Sequence, residues 1–304
     1  MTGFIVRRVI VAIGVFLIVA TASFMLTRLS GDLAVSIAGA NASPEDVEAV
    51  RIAYGLDRPL LVQYGQWAND LLHWDLGKSY LYGEPVADLL KQRLPVTLTL
   101  GVLGLVIAVS LGVPLGILAA VWQGRWPDRL VALVALLGQA IPNFWLALLG
   151  VIWVGVYWQL LPISGVDTWQ GYVMPAVVLA SSSVPVLARL TRAGMVDALA
   201  SDYIRTARAK GLSRTSILVK HALRNAAMPV VTVAAVQLGF MLGGSIIIES
   251  IFALHGVGFL AWEAISKGDF PVVQAVVLLL AMIFISLTLV SDLLNALLDP
   301  RLRA

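Results

Sequence analysis

"YIRTARAKGLSRTSILVKHALRNAAMP", Tyr203 to Pro229, carries six Lys and Arg residues and no Asp or Glu. Long apolar runs flank it on both sides. The whole chain is 304 residues, 59% hydrophobic and only 13% charged, with a mean hydropathy of +0.89. Soluble domains carry about 25% charged residues, so this composition belongs to a membrane protein. Acids and bases nearly balance at a net +3, and their distribution is more telling than their sum. The absence of cysteine excludes disulfides, thiolate metal sites and cysteine nucleophiles. His73, His221 and His255 are too scattered to suggest a metal site, and nothing points to a nucleic-acid partner.

Outward from the basic stretch, six segments are long and apolar enough to cross a hydrocarbon core of about 30 Å, which takes roughly 20 residues. They are Val9–Thr27, Val96–Trp122, Leu130–Leu161, Tyr172–Val196, Met228–Ile248 and Pro271–Ser291. The third is overlong, and Pro142 is expected to bend it. The first follows Arg7 and Arg8, as a signal peptide would. Its apolar run exceeds the usual range of about 7–15 residues, which favours a retained anchor. The fold class is therefore all-α with six transmembrane helices.

Lys and Arg mark the cytoplasmic side of short loops. Arg125 and Arg129 sit between spans 2 and 3, whereas Pro162–Gly171 has no base and the last connection has only Lys267. Both termini, Arg7 and Arg8 at one and Arg301 and Arg303 at the other, are then expected in the cytoplasm with Tyr203–Pro229. Three regions follow: a first span over 1–28, an external loop over 29–95, and a five-span core over 96–304 that includes the cytoplasmic helices of 201–225.

Within the outer loop, Ser43, Pro44, Glu45 and Asp46 predict a helix from Pro44 to about Tyr54, stopped by Gly55. The stretch "LLVQYGQWANDLLHW" either lies along the membrane surface, with Trp67 and Trp74 at headgroup depth, or packs on the bundle. "LGKS" at 76–79 imitates the end of a phosphate-binding loop, but position 72 is leucine where that loop needs glycine.

The basic stretch itself reads as helix, turn, helix. Ser201 or Asp202 caps a first helix through Lys210, and Gly211 ends it. Ser213 caps a second, from about Arg214 to Asn225. Ile204, Ala207 and Ala209 form a small apolar surface bordered by Arg205, Arg208 and Lys210. Two readings stand: a basic loop against anionic lipid, or a protein-docking element, which the small residues Thr206, Ala207 and Ala209 favour.

"YIRTARAKGL" followed by "HALRNAAMPVVT" resembles the cytoplasmic signature of permease subunits of peptide- and nickel-type ABC importers. Arg205, Thr206 and Ala207 occupy the positions of that signature's EAA, and Gly211 its glycine. The missing glutamate shifts any docking there toward shape. "GLDRPLLVQY" (55–64), "DLGKS" (75–79), "PVADLLKQRLPVTLTL" (85–100), "IIIESIFALHGVGFLAWEAISKGDFPVVQ" (246–274) and "DPRLR" (299–303) resemble the family too, so the likeness covers nearly the whole chain. It implies a type I ABC importer permease fold in the bacterial inner membrane. It further implies that Tyr203, Ile204, Arg205, Thr206, Ala207, Arg208, Ala209, Lys210, Gly211 and Leu212 form the coupling helix, seated in an ATPase subunit. A second homologous permease, two ATPase subunits and an external solute-binding protein would complete the assembly. ATP and magnesium would be bound by the ATPases, and this chain would hold no cofactor and catalyse no reaction. Dipeptides or oligopeptides are the expected cargo, with nickel chelates, glutathione and sugar conjugates as alternatives.

The candidate path residues are Gln237, Gly239, Gly243, Gly244 and Glu249, on or just past the fifth span. Gly239 and Gly243 form a small-xxx-small pair suited to close packing or to a pore wall. Glu249 is an outer-end acid able to meet an ammonium or a metal cation, or else to stay solvated or paired. Asp292 is expected at the inner interface. A secondary transporter would carry ionisable groups mid-span, and an intramembrane enzyme would need paired aspartates or a histidine–glutamate motif. The sequence offers neither.

Overall fold

The structure, a computed structural model, describes residues 2–29, 31–39 and 41–298. The "DPRLR" motif, with Arg301 and Arg303, lies outside the described residues. Four helices are continuous spans: α1 (Thr2–Leu29), α5 (Val86–Val121), the helix that ends at Ile251, and the last one. Two further spans are broken pairs. α6 (Trp126–Ala140) meets α7 (Asn143–Gly150) and its π-helical continuation Val151–Tyr157 at 93°. α8 (Val173–Ser181) meets α9 (Ser183–Ala200) at 50°. Pro142 accounts for the first break, since Ile141 before it is extended, as a residue preceding proline prefers.

Between α1 and α5 lie α2 (Leu33–Ala38), α3 (Pro44–Ala53) and α4 (Leu60–Leu72). α3 begins in a reciprocal cap, with Ser43 and Asp46 each bonding the other's backbone, and Gly55 follows it at φ +62°. α4 packs Tyr64 and Trp67 on Phe24 of α1, each ring 5.3 Å from the phenylalanine. That face takes the bundle-packing reading, while Trp74 remains exposed. α5 starts ten residues before the expected Val96, because Asp88, Lys91 and Arg93 end an apolar run without ending a helix. Pro95 and Pro114 lie inside it. Gly112 brings α5 close to α9, where a Cβ would stand 2.9 Å from that of Leu187.

After α9 come α10 (Asp202–Ala209) and α11 (Arg214–Ser216), which runs through a π-helical stretch, Ile217–Leu223, into α12 (Arg224–Ile251). The second short helix expected to end at Asn225 is thus the start of one 38-residue helix, Arg214–Ile251. α13 (Val257–Lys267) and α14 (Phe270–Leu298) complete the chain. α5 packs on α9, and α14 on both α12 and α1.

Many large apolar residues face outward, including Ile18 at 70%, Leu136 at 62% and Phe240 at 63% exposure. A bilayer removes the penalty such outward apolar faces would carry in water. The buried residues form three clusters: one mid-bundle, one at the end that holds α13, and one at the end that holds α10. The connections after α5 and α9 reach the α10 end, and those after α1, α7 and α12 reach the α13 end.

Candidate functional site

At the α10 end, the helix is held by a two-residue anchor. Ile204 (0% exposed) and Ala207 (5%) face inward against Met195, Ala198 and Ala226. Positions three apart share one side of a helix, so Ala209 falls on the other and is exposed with Thr206. The expected apolar trio is therefore an inward pair and an outward alanine. Tyr203, Arg205, Arg208 and Lys210 are exposed around them.

Gly211 terminates the helix at φ +75°, where its N–H bonds the Arg208 carbonyl at 2.9 Å and the Leu212 N–H bonds Ala207 at 3.3 Å. A Cβ there would meet nothing within 4 Å, so backbone conformation alone selects glycine. Ser213 then caps α11 by accepting from the Ser216 N–H at 3.3 Å. Asn225 Nδ2 donates to the Tyr203 hydroxyl at 2.8 Å, tying α10 to the base of α12. The product is a shallow surface of Thr206, Ala209 and Gly211 rimmed by cations, firmly seated from beneath. The Arg205–Asp202 pair on it is solvent-exposed and adds little.

The same end carries buttresses that sequence reasoning missed. Arg192 of α9 donates to both Asp128 oxygens, at 2.6 and 2.8 Å, and the Gly124 N–H adds 2.9 Å. This fork fixes the α5–α6 turn to α9. A cue was available: an acid one residue past "WP" is well placed at the first turn of a helix. Asp292, expected at the interface, pairs with Arg8 at 3.0 Å.

The candidate path residues do not share one environment. Gln237 donates to Ser183 at 2.8 Å. Gly239 is buried against Phe284 of α14, while Gly243 and Gly244 are exposed, and a Cβ on either would meet nothing within 4 Å among the described residues. Glu249 is fully buried. It accepts from the Thr97 hydroxyl at 2.8 Å and the Phe259 N–H at 2.9 Å, and the Val257 N–H donates to Thr97 at 2.8 Å. Rather than facing solvent, Glu249 pins the start of α13 to α5 and α12, as a carboxylate at a positive helix end should.

Nearby, buried Asp269 collects the Ser79 hydroxyl and the Tyr80 and Leu81 N–H groups, so "LGKS" is a docking turn for the outer loop. Tyr82 donates to Glu263 at 2.6 Å. Burial pushes the Tyr80 and Tyr82 phenols up to about 12, with Glu263 reinforcing the second. Among the described residues no group of three metal-ligating side chains occurs.

Residues 112–304 match the family described as the binding-protein-dependent transport system inner membrane component, and residues 1–101 match its N-terminal region. A Brucella abortus (strain 2308) protein, provisionally named a peptide transport system permease, is 44% identical over 312 residues, covering 100% of this chain and 99% of that protein. The glutathione transport system permease protein GsiC of Escherichia coli (strain K12) is 41% identical over 304 residues, with 100% and 99% coverage. Among solved structures, the MetNI methionine ABC transporter in an inward facing conformation aligns at a TM-score of 0.60 and 20% identity, over 69% of this chain and 96% of that one. That last likeness is one of fold.

Proposed function

Because the chain belongs to the family of inner membrane components of binding-protein-dependent transport systems, we propose that it is the peptide-conducting permease of an ATP-driven importer, worked through the Tyr203–Leu212 surface. The observation that carries this reading is that surface: a low, cation-rimmed helix held by Ile204 and Ala207, continuous through Ser213 with the long α12. A seat for a moving partner needs that combination of exposed shape and firm backing.

Concentrating a solute a thousandfold costs about 4 kcal/mol. In this reading the energy comes from two ATPase subunits that bind ATP and magnesium, while this chain carries no cofactor and no hydrolytic role. Their closure moves α10 and the helices behind it as a rigid body between two states. A second homologous permease completes the pathway, and an external solute-binding protein delivers cargo to the α13 end. The cation-rich α10 end then lies in the cytoplasm, in keeping with the loop charges. Peptides are the proposed cargo, following the Brucella relative's name. Glutathione, itself a short peptide, is the alternative that the Escherichia coli relative supports.

Gly211→Val tests the seat. The position tolerates the side chain sterically but not conformationally, so the substitution strains the turn by about 1–2 kcal/mol. ATPase co-purification and peptide uptake should both fall. Wild-type values for both would count against the coupling role. A reporter fused after Ala304 should be active on the cytoplasmic side alone, and an external signal would overturn the orientation.

A further inference from the structure

A cavity of about 180 Å³ lies at the α13 end, between the end of α1, α4, the 75–80 turn and the start of α14. Among the described residues its wall holds one cation, Arg28, and two carboxylates, Asp70 and Asp75. The Arg28 guanidinium stands 5.1 Å over the Phe24 ring, and its buried Nε has no hydrogen-bond partner among the described residues. Tyr80, also on the wall, lies close enough to interact with that charge, and its phenol stays protonated at neutral pH. One Asp75 oxygen already accepts from the Gly77 N–H at 2.9 Å. Asp70 is exposed near the end of α4.

The charges decide the ligand. A bare anion suits Arg28 and Tyr80 but is repelled by two carboxylates, while a bare cation meets Arg28. A zwitterion satisfies both ends. The surroundings decide its source. Leu61, Leu72 and Trp74, on and just after α4, are 83%, 80% and 74% exposed at this end, as expected at a membrane interface. The cavity also reaches Leu278, seven residues beyond Pro271 along α14 and so about 10 Å deeper. A slot that starts at headgroup depth and continues beside a span has the shape of a lipid site.

We propose that this cavity binds the zwitterionic headgroup of a phosphoethanolamine lipid, with Arg28 and Tyr80 taking the phosphate and Asp70 and Asp75 the ammonium. Its lining includes none of the candidate path residues of α12 and none of the α10 surface.

The test uses the permease assembled with its partner subunits in nanodiscs of equal phosphatidylethanolamine and phosphatidylglycerol, released into native mass spectrometry. Wild type should retain phosphatidylethanolamine in preference to phosphatidylglycerol. Arg28→Gln should lower that retention about tenfold, the usual scale for one charge-assisted bond to phosphate. Asp75→Asn should shift the retained lipid toward phosphatidylglycerol. Preference for phosphatidylglycerol in wild type, or unchanged retention in Arg28→Gln, would overturn the proposal. The wild-type lipid ratio decides by itself if a variant fails to assemble. A parallel arm offers alanylalanine in lipid-free detergent. Arg28-dependent binding of that probe, without lipid retention in the nanodisc arm, would overturn the lipid source.

Discussion

Ile204→Ala separates the anchor of α10 from its exposed surface. Ile204 is fully buried and supplies most of the helix's hold on the bundle, with Ala207 and the Tyr203–Asn225 bond as the remainder. Removing three carbons costs about 2.4 kcal/mol at about 0.8 per carbon, and the cavity left behind adds to it. The surviving hydrogen bond is worth about 1 kcal/mol. Local detachment of α10 should therefore become about 100-fold more frequent, while α12 and α14 stay as they are. Hydrogen exchange followed by mass spectrometry reads this directly: amides of 202–212 should exchange faster by up to that factor, with no change in the spans. If only the docked helix accepts the ATPase, its affinity falls as the docked fraction falls. Faster exchange at 202–212 accompanied by undiminished ATPase association and uptake would refute the idea that a rigidly held α10 is the seat.

Glu249→Gln keeps the side chain's size but replaces one accepting oxygen with a donor, opposite either the Thr97 hydroxyl or the Phe259 N–H. The expected loss is about 1–3 kcal/mol, seen as a lower midpoint in thermal unfolding of the purified complex. Asp128→Asn should weaken the Arg192 fork by a similar 1–3 kcal/mol or so, and a double-mutant cycle with Arg192→Gln should return a non-zero coupling. The two phenols bring a pH response of definite sign. Because the folded-state pKa values of Tyr80 and Tyr82 lie above the ordinary 10, at about 12, their contribution is complete below pH 10. It is lost as pH rises toward 12. Phenolate absorbance of the intact protein should show a late-titrating component, and substitution of Tyr80 and Tyr82 by phenylalanine should shrink it.

The spans were legible because a bilayer imposes a length and a composition, and no other element satisfies both. What hydropathy does not see is where a helix begins when its first turns are polar. Asp88, Lys91 and Arg93 hid the start of α5, and the basic run Arg214–Arg224 hid the join between α11 and α12. Capping chemistry is local, so the Ser43 box and the Gly211 stop were both readable within a few residues. The partners of buried polar groups were not: Thr97 meets Glu249, and Ser79 meets Asp269, across more than a hundred residues of chain. Glu249 followed a span and so looked exposed by position. Only packing reveals that α13 folds back over it.

That fold-back gives the chain a mechanical continuity. From the cap at Ser213 the backbone is helical to Ile251, 38 residues and about 57 Å at 1.5 Å each if straight. The buried side of α10, Ile204 and Ala207, packs on its N-terminal part at Ile217, Ala222 and Ala226. Glu249 near its other end grips α13 and, through Thr97, α5. A displacement imposed on α10 can be absorbed before reaching the opposite side of the membrane at two points in this helix: the π-helical stretch Ile217–Leu223 and Pro229, which removes a backbone hydrogen bond. Such stretches are weak points in a helix and recur at functional sites. On the proposed coupling role both compliant points, the π-helical stretch and Pro229, sit toward the driven end, so partner motion would work against them first and then move the rest of α12.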